Sequence, residues 1–264
     1  MSNQLRIAAR RAFARAPGVI GYYPAFQAAG DTALIDRSGA GNNAMVGADA
    51  ALSTLWTATP NRLGIPADDG SGTTAKAPSI AAATINWNKD TETLLIAGMW
   101  NGANSAMRHV VGFGGASSTA IHGINLRTLV TTGMPQLMVY NSGGTGLSGN
   151  VGATVLANGA DHHVGLIIDG VAKRIHFYLD GVYDASNSGV GLDFTAAAAL
   201  MTNMGALVFG GYPHTAGKQL VYASSSYAWQ VAKRTGGRPA NADDVMRRLA
   251  RSPLQVLSST EWPA

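Results

Sequence analysis

The sequence contains no cysteine among its 264 residues. Disulfide bonds, thiolate metal sites and cysteine nucleophiles are therefore excluded together. The chain also has no uninterrupted apolar run of about 18 residues, the length that a transmembrane helix requires. No hydrophobic signal core followed by a small-residue cleavage site stands near residue 1. We expect a soluble protein that does not insert into a membrane.

Charged residues are scarce as well, at 13% of the chain, whereas glycine supplies 33 residues. An average soluble domain has roughly 25% charged residues, so surface and turns here must consist largely of small neutral side chains. Between 18 and 230 the helical period is missing and short apolar runs alternate with turn residues. The pattern predicts one all-β sandwich. Its candidate strands are 19–24, 62–66, 92–100, 107–114, 120–126, 135–141, 151–156, 162–168, 173–180, 205–211 and 219–230.

The clearest local unit is a hairpin between His162 and Val182. Asp169-Gly170 is a turn signal between two runs that alternate with the two-residue period of a strand, and Asp180-Gly181 is a second such signal. One face of the hairpin is predicted to be apolar and buried: Val164, Leu166, Ile168, Ile175, Phe177 and Leu179. The other face of the returning strand carries Arg174, His176 and Tyr178.

Three segments are predicted around the sandwich. Residues 3–16 are rich in Ala, Leu and Arg and stop at Pro17-Gly18, which is typical of a short helix. Residues 242–251 predict a second helix with Asn241 as N-cap. The glycine-rich stretch 142–150 predicts a loop. The predicted organisation is a basic N-terminal helix or anchor over 1–17, a sandwich over 18–230, and a helix and tail over 231–264 that pack on the sandwich or on a neighbour.

The net charge of +4 is concentrated at the two ends. Residues 1–16 carry four arginines and no acid, and residues 229–264 carry six basic against three acidic residues, whereas the body between them is slightly acidic. A nucleic-acid binder would show its basic face on the body, so this distribution indicates a module mounted on another protein. The arginines expected at the mounting surface are Arg6, Arg10, Arg11, Arg15, Arg247, Arg248 and Arg251.

Three ordered segments resemble a known family. DHHVGLIIDGVAKRIHFYLDGV (161–182) resembles the paired strands of laminin-G-like, concanavalin A-like lectin domains. GVIGYYPAFQAAGDTALIDRSGAGNNAMVG (18–47), followed by Trp56, is similar to the opening of the bacteriophage members. RRLARSPLQVLSSTEW (247–262) is similar to their closing helix and its final aromatic residue. Together the segments resemble a bacteriophage virion protein with a two-sheet antiparallel jelly-roll sandwich.

The resemblance implies a structural protein on the exterior of a phage particle, made in the host cytoplasm, as a head-decoration or tail-associated component. Its expected partners are other virion proteins, further copies of itself and a host surface glycan, and no nucleic acid. A second hypothesis is a receptor-binding adhesin that recognises that glycan. A third is a glycan-degrading enzyme.

The concanavalin A-like fold also occurs in laminarinase-type glycoside hydrolases, whose retaining mechanism needs two carboxylates about 5 Å apart. The chain has two glutamates, Glu92 and Glu261, and neither belongs to such a motif. Asp169 and Asp180 lie in Asp-Gly turns, where structural roles are usual. We therefore predict that the protein is not an enzyme and has no catalytic residues.

Two binding sites follow as hypotheses. A glycan site needs an aromatic platform beside amide groups. The aromatic candidates are Trp56, Trp87, Trp100, Tyr140 and Tyr212, and the predicted site contains Trp87, Trp100, Asn101, Asn104 and Tyr140. The segment DRSGAGNN offers Asp36 and Asn42 as oxygen ligands for calcium, although one carboxylate is few for Ca²⁺ and the alternative is an Asx turn. His162 and His163 face opposite ways on a strand and cannot hold one ion together. We expect no cofactor other than this calcium candidate.

Overall fold

The computed structural model describes residues 18–24, 33–45, 62–65, 77–103, 107–116, 121–140, 146–150, 154–184, 191–198, 205–213, 219–221, 224–258 and 260–263. The predicted N-terminal helix 3–16, with Arg6, Arg10, Arg11 and Arg15, lies outside these ranges. No helix in the described part of the chain is both long and apolar enough to cross a membrane.

Two antiparallel sheets form the sandwich, which confirms the predicted fold class. Sheet I contains β1 (Val19–Tyr23), β4 (Leu63–Ile65), β6 (Glu92–Asn101), β11 (His162–Asp169), β12 (Arg174–Leu179), β13 (Val182–Tyr183), β14 (Leu192–Asp193) and β18 (Ser224–Thr235). Its neighbour order is β1-β18-β6-β11-β12-β13, with β14 also beside β12 and β4 also beside β18.

Sheet II contains β2 (Ala33–Leu34), β3 (Ala44–Met45), β5 (Ser79–Ile80), β7 (Arg108–Ala116), β8 (Ile121–Thr128), β9 (Pro135–Tyr140), β10 (Gly146–Asn150) and β15 (Leu207–Phe209). Its order is β10-β9-β8-β7-β15-β5-β3-β2. A two-stranded ribbon of β16 (Gly211–Pro213) and β17 (Gln219–Val221) accompanies it. The described helices are α1 (Ala82–Ile85), α2 (Thr195–Ala198) and α3 (Ala242–Arg251).

The main core lies between the two sheets, where the apolar residues of each strand alternate inward. It includes the predicted Ile175, Phe177 and Leu179, all of which are buried. The hairpin is also confirmed, since β11 and β12 pair antiparallel from Val164 with Leu179 to Asp169 with Arg174. Asp180 and Gly181, at φ values of 52° and 79°, form the two-residue turn into β13.

A second apolar cluster lies on the outer face of sheet I, beneath α3. The helix buries Val245, Met246 and Leu249, which recur at the spacing of one helical face, against Leu95 and Ile167 of the sheet. Leu257 and Trp262 continue this layer beyond the helix. The C-terminal segment thus covers apolar residues of β6 and β11 on the outer face of sheet I.

Four local expectations differ from the structure. Strand β18 continues to Thr235, past the predicted sandwich limit at 230, because 231–235 pair with β6. Within the predicted loop 142–150, residues 146–150 form β10, because they find a complete antiparallel partner in β9. Residues 154–156 of the predicted strand 151–156 are irregular. Asn241 stands at the N-cap of α3 but makes no side-chain cap, and its amide donates a hydrogen bond to the Glu261 carbonyl oxygen.

Candidate functional site

The outer face of sheet II differs from that of sheet I, because polar and aromatic side chains occupy it. Along β9, Leu137 and Val139 face the core and are fully buried, whereas Gln136, Met138 and Tyr140 point outward and are half-buried. Arg127 of β8 lies opposite Gln136 on the same face. Strand alternation therefore collects a guanidinium, an amide, a thioether and a phenol on one surface, which we call the β8–β9 face.

A row of rings borders the β8–β9 face. The ring centroids of Tyr140 and Tyr212 are 6.0 Å apart, and Tyr212 stacks on His109 at 6.0 Å with an interplanar angle of 21°. Gly112 allows this approach, since a Cβ there would lie 2.5 Å from the Tyr212 ring. The buried Tyr212 hydroxyl has no hydrogen-bond partner among the described residues, and burial raises the pKa of this phenol.

His109 supports the row from below. Its Nδ1 lies 3.0 Å from Oδ1 and 2.9 Å from Nδ2 of Asn125, so the two buried side chains are joined through the Asn125 amide. Burial lowers the pKa of His109 to about 4, because a charged imidazole would lose its hydration there. His109 is therefore neutral at pH 7, and its ring forms a buried polar support on which Tyr212 stacks.

Arg127 is held in place on the β8–β9 face. Its Nε donates a hydrogen bond of 2.8 Å to Gln136 Oε1, and Nη1 lies 3.2 Å from the Met107 sulfur. A guanidinium has five N–H donors. These two contacts orient the plane of the Arg127 guanidinium, which is half-buried.

Asn101, a predicted glycan residue, belongs to a different cluster at one end of sheet I. Its amide donates to the Asp161 carboxylate at 3.0 Å and to the Gly159 carbonyl at 2.8 Å. Arg62 makes a forked ion pair with Asp161 and lies over the Tyr227 ring, 5.7 Å from its centroid. These groups satisfy one another, so the cluster joins strands and offers few free partners.

The structure separates the predicted glycan residues. Trp87 and Trp100 are buried in the main core, where the bulk of an indole fills space between the sheets, so neither presents an exposed face. Trp87 Nε1 donates to the Glu92 carbonyl oxygen at 3.0 Å. Asn104 lies outside the described residues. Of the four that the structure describes, only Tyr140 lies on the β8–β9 face.

The Asp36 loop uses its oxygens internally. Asp36 Oδ1 accepts the backbone N–H groups of Tyr22 and Ser38, and Oδ2 accepts that of Asn42 at 3.1 Å. The Asn42 amide donates to the Ile20 carbonyl oxygen at 2.7 Å. These contacts form the Asx-type turn that is the alternative to a calcium site. No group of three or more His, Asp or Glu side chains suited to a metal occurs in the described ranges, and calcium binding stays a prediction.

The C-terminal arginines fall into two groups. Arg248 is half-buried in an ion pair with Glu261, and burial lowers its pKa, so it belongs to the packing of α3. Arg247 and Arg251 lie at the exposed surface, Arg247 beside Asp244 at 2.7 Å. Only these two remain available to an acidic partner among the described mounting residues.

Both glutamates also have structural partners. Glu92 accepts the Asn88 backbone N–H at 2.7 Å and pairs with Lys233. Glu261 accepts the Ser258 backbone N–H at 2.9 Å in addition to the Arg248 pair.

Comparison with known proteins gives no matching family model and no matching curated sequence. Solved structures do match. A Trypanosoma rangeli sialidase in complex with sialic acid aligns with a TM-score of 0.60 at 14% identity, over 89% of this chain and 33% of that chain. The same enzyme with 2,3-difluorosialic acid aligns at 0.60 and 15% identity, over 94% and 39%. A botulinum neurotoxin type C structure, described as dependent on two ganglioside molecules for cell entry, aligns at 0.55 and 11% identity, over 90% and 52%.

These likenesses show the fold, a β-sandwich of the kind found in lectins and sialidases. The chain spans about a third of the length of the sialidases that it matches. The prediction that the protein is not an enzyme is contradicted, because proteins named as sialidases share its fold over most of its residues. The prediction was wrong because it required a close pair of carboxylates, whereas sialidases use a tyrosine nucleophile.

Tyr140 and Tyr212 were among the aromatic candidates in the sequence, whereas Arg127, Gln136 and Met138 were not predicted. Alternation in PQLMVY was the available signal, because it places Gln136, Met138 and Tyr140 on one face. Tyr212 carries no such signal, since its position depends on the ribbon β16–β17 meeting Gly112 of β7.

Proposed function

We propose that this protein is a lectin-like glycan-binding module whose site is the β8–β9 face. The observation that supports the proposal is the contrast between the two outer faces. α3 and the Trp262 segment bury the face of sheet I under apolar side chains, whereas Arg127, Gln136, Met138 and Tyr140 keep the face of sheet II polar and half-exposed.

The chemistry of this face suits a sugar. A pyranose has an apolar face of C–H groups and a rim of hydroxyls, and the Tyr140 ring offers a surface for the first. Gln136 and Arg127 offer an amide and further N–H donors for the second. Because Arg127 is already oriented by Gln136 Oε1, binding costs little additional side-chain entropy.

The glycans tested for binding should include neutral and acidic sugars. A guanidinium pairs well with a carboxylate, so Arg127 favours an acidic sugar. Sialic acid and gangliosides are included because structures with this fold are described with them. Release of sialic acid is measured in parallel, since the fold also occurs in sialidases.

The test is glycan-array screening followed by titration calorimetry on the best ligand. Tyr140→Ala and Arg127→Ala should each weaken binding about tenfold, which corresponds to about 1.4 kcal/mol. Arg247→Ala is the matched control, because it removes an exposed arginine from the α3 side. Equal affinity in the three variants, or no array signal for the unmodified protein, would refute the proposal.

We further propose that the module is displayed on the exterior of a phage particle and mounted through its termini on another virion protein. Support comes from the resemblance of 161–182, 18–47 and 247–262 to phage proteins and from the arginines of 1–16, with Arg247 and Arg251 exposed on α3. Deletion of 1–16 should leave the sandwich folded and reduce incorporation into particles. Incorporation at the wild-type level would contradict this placement.

A further inference from the structure

A long stretch of the chain has no charge. Residues 128–160 contain no Asp, Glu, Lys, Arg or His, although this stretch supplies two strands of sheet II, β9 and β10. Strand β10 is the last strand of that sheet in the described ranges, and it pairs on one side with β9 over all five of its residues.

An edge strand of this kind is normally protected. Its outward N–H and C=O groups can pair with another chain, and proteins prevent this with Lys or Pro on the edge, short edge strands or a covering loop. The other described edges use such devices. β2 and β13 have two residues each, and the Tyr22 backbone of β1 is capped by Asp36 and Arg37.

In the part of the chain that the structure describes, none of these devices is found on β10. Its sequence GLSGN has no Pro and no charge, and within the described residues nothing bonds to its outer side. The nearest charged residues in sequence, Arg127 and Asp161, lie at the two limits of the uncharged stretch. An edge without charge neither repels its own copy nor selects a charged partner.

We infer that β10 pairs antiparallel with β10 of a second copy of this chain, which joins the two sheets II into one continuous sheet. A neutral edge is complementary to itself, and two-fold symmetry is the commonest arrangement of protein dimers. Two residues that pair across antiparallel strands point to the same side of the sheet. In a two-fold symmetric pair of identical strands, one residue must therefore lie at the axis and pair with the same residue of the other copy. Full pairing of the five residues places Ser148 there, with Gly146 opposite Asn150.

The dimer would align the two β8–β9 faces on the same side of one sheet. This consequence rests on the proposed function, whereas the pairing itself does not. Two sites held together bind a multivalent glycan surface more tightly than one, without a new contact at either site.

The absence of cysteine makes a direct test available. Single cysteines are introduced by Ser148→Cys and, as the matched control on an exposed edge of sheet I, by Val182→Cys, whose native side chain is 66% exposed. Under mild oxidation, Ser148→Cys should give a covalent dimer, because residues facing each other across an antiparallel pair lie within disulfide range. Val182→Cys should stay largely monomeric.

A second variant keeps the test independent of disulfide geometry. Ser148→Lys places two like charges opposite each other, and we expect at least a tenfold weaker dimer in sedimentation equilibrium, with an unchanged far-UV spectrum. Val182→Lys should leave the dimer intact. A monomer at all concentrations, or a dimer that neither Ser148 variant affects, would overturn the inference. Both measurements are made without glycan, so their failure leaves the proposed function untouched.

Discussion

Arg62 and Asp161 lie 99 positions apart in the chain and form a forked ion pair that links the start of β4 to the start of β11. The Asp161 carboxylate also accepts the Asn101 amide at 3.0 Å. One carboxylate therefore connects β4, β6 and β11 at the same end of sheet I.

Removal of the Asp161 carboxylate should lower the free energy of unfolding more than removal of its partner Arg62. Arg62→Ala should lower the free energy of unfolding by about 1 kcal/mol, because the pair is partly exposed and screened by solvent. Asp161→Ala should lower it by about 2 kcal/mol, since Arg62 and Asn101 both lose their acceptor. Urea denaturation checks the order, and a larger loss for Arg62→Ala would contradict it.

Acid should destabilise the fold through its buried histidines. Burial lowers the pKa of His109 and His163 to about 4, against about 6.5 in an unfolded chain. Between these two pKa values each histidine binds a proton in the unfolded chain but not in the folded chain. The free energy of unfolding therefore has its full value above pH 6.5 and decreases as the pH falls towards 4. Each histidine contributes up to about 3 kcal/mol to this loss.

The variant His109→Gln isolates one of these contributions. Glutamine keeps a polar group near Asn125 but does not titrate, so the free energy of unfolding should fall less steeply between pH 6.5 and 4. Comparing slopes, with pH 8 as reference, removes the packing cost of the substitution. An unchanged slope would show that His109 is not protonated on unfolding.

The hydroxyl of Tyr212 should be dispensable for stability. It is buried and has no hydrogen-bond partner within the described ranges, so folding removes its hydration without a replacement there. Tyr212→Phe keeps the ring between His109 and Tyr140 and should raise the free energy of unfolding by about 1 kcal/mol. A drop of similar size in urea denaturation would contradict this and would indicate a bound water molecule.

The cover of sheet I depends on one residue near the C-terminal end of the sequence. Trp262 is fully buried in the cluster beneath α3, so Trp262→Ala should lower the free energy of unfolding by about 3–5 kcal/mol. Leu254→Ala is the control, because Leu254 is 44% exposed, and its effect should stay within about 0.5 kcal/mol. Similar effects of the two variants in thermal and urea denaturation would argue against the cover.

Local chemistry explains which parts of the structure could be predicted from the sequence. The hairpin of β11 and β12 was predictable because alternation and Asp-Gly turns act over a few residues. The helix α3 was predictable because Asp243 and Asp244 stand in its first turn and Arg248 and Arg251 in its last, an arrangement that suits the helix dipole. Strand β10 was not, since Gly146–Asn150 has little strand propensity and becomes extended only against β9.

The candidate site was predictable only in part for a similar reason. An indole suits a sugar platform and a core equally well, and the register of Trp100 on β6, opposite His162, decides for the core. Tyr140 differs only because its alternation places it outward. Tyr212 reaches the site through a contact between distant segments, at Gly112.

The pairing of β1 with β18 sets the order of events during protein synthesis. Val19 lies opposite Ala232, so sheet I cannot be completed until more than two hundred further residues have been translated. Its apolar outer face then still waits for α3 and Trp262 to leave the ribosome. The nascent chain therefore exposes an apolar, aggregation-prone sheet surface late in translation. A chaperone would protect it from aggregation in this period.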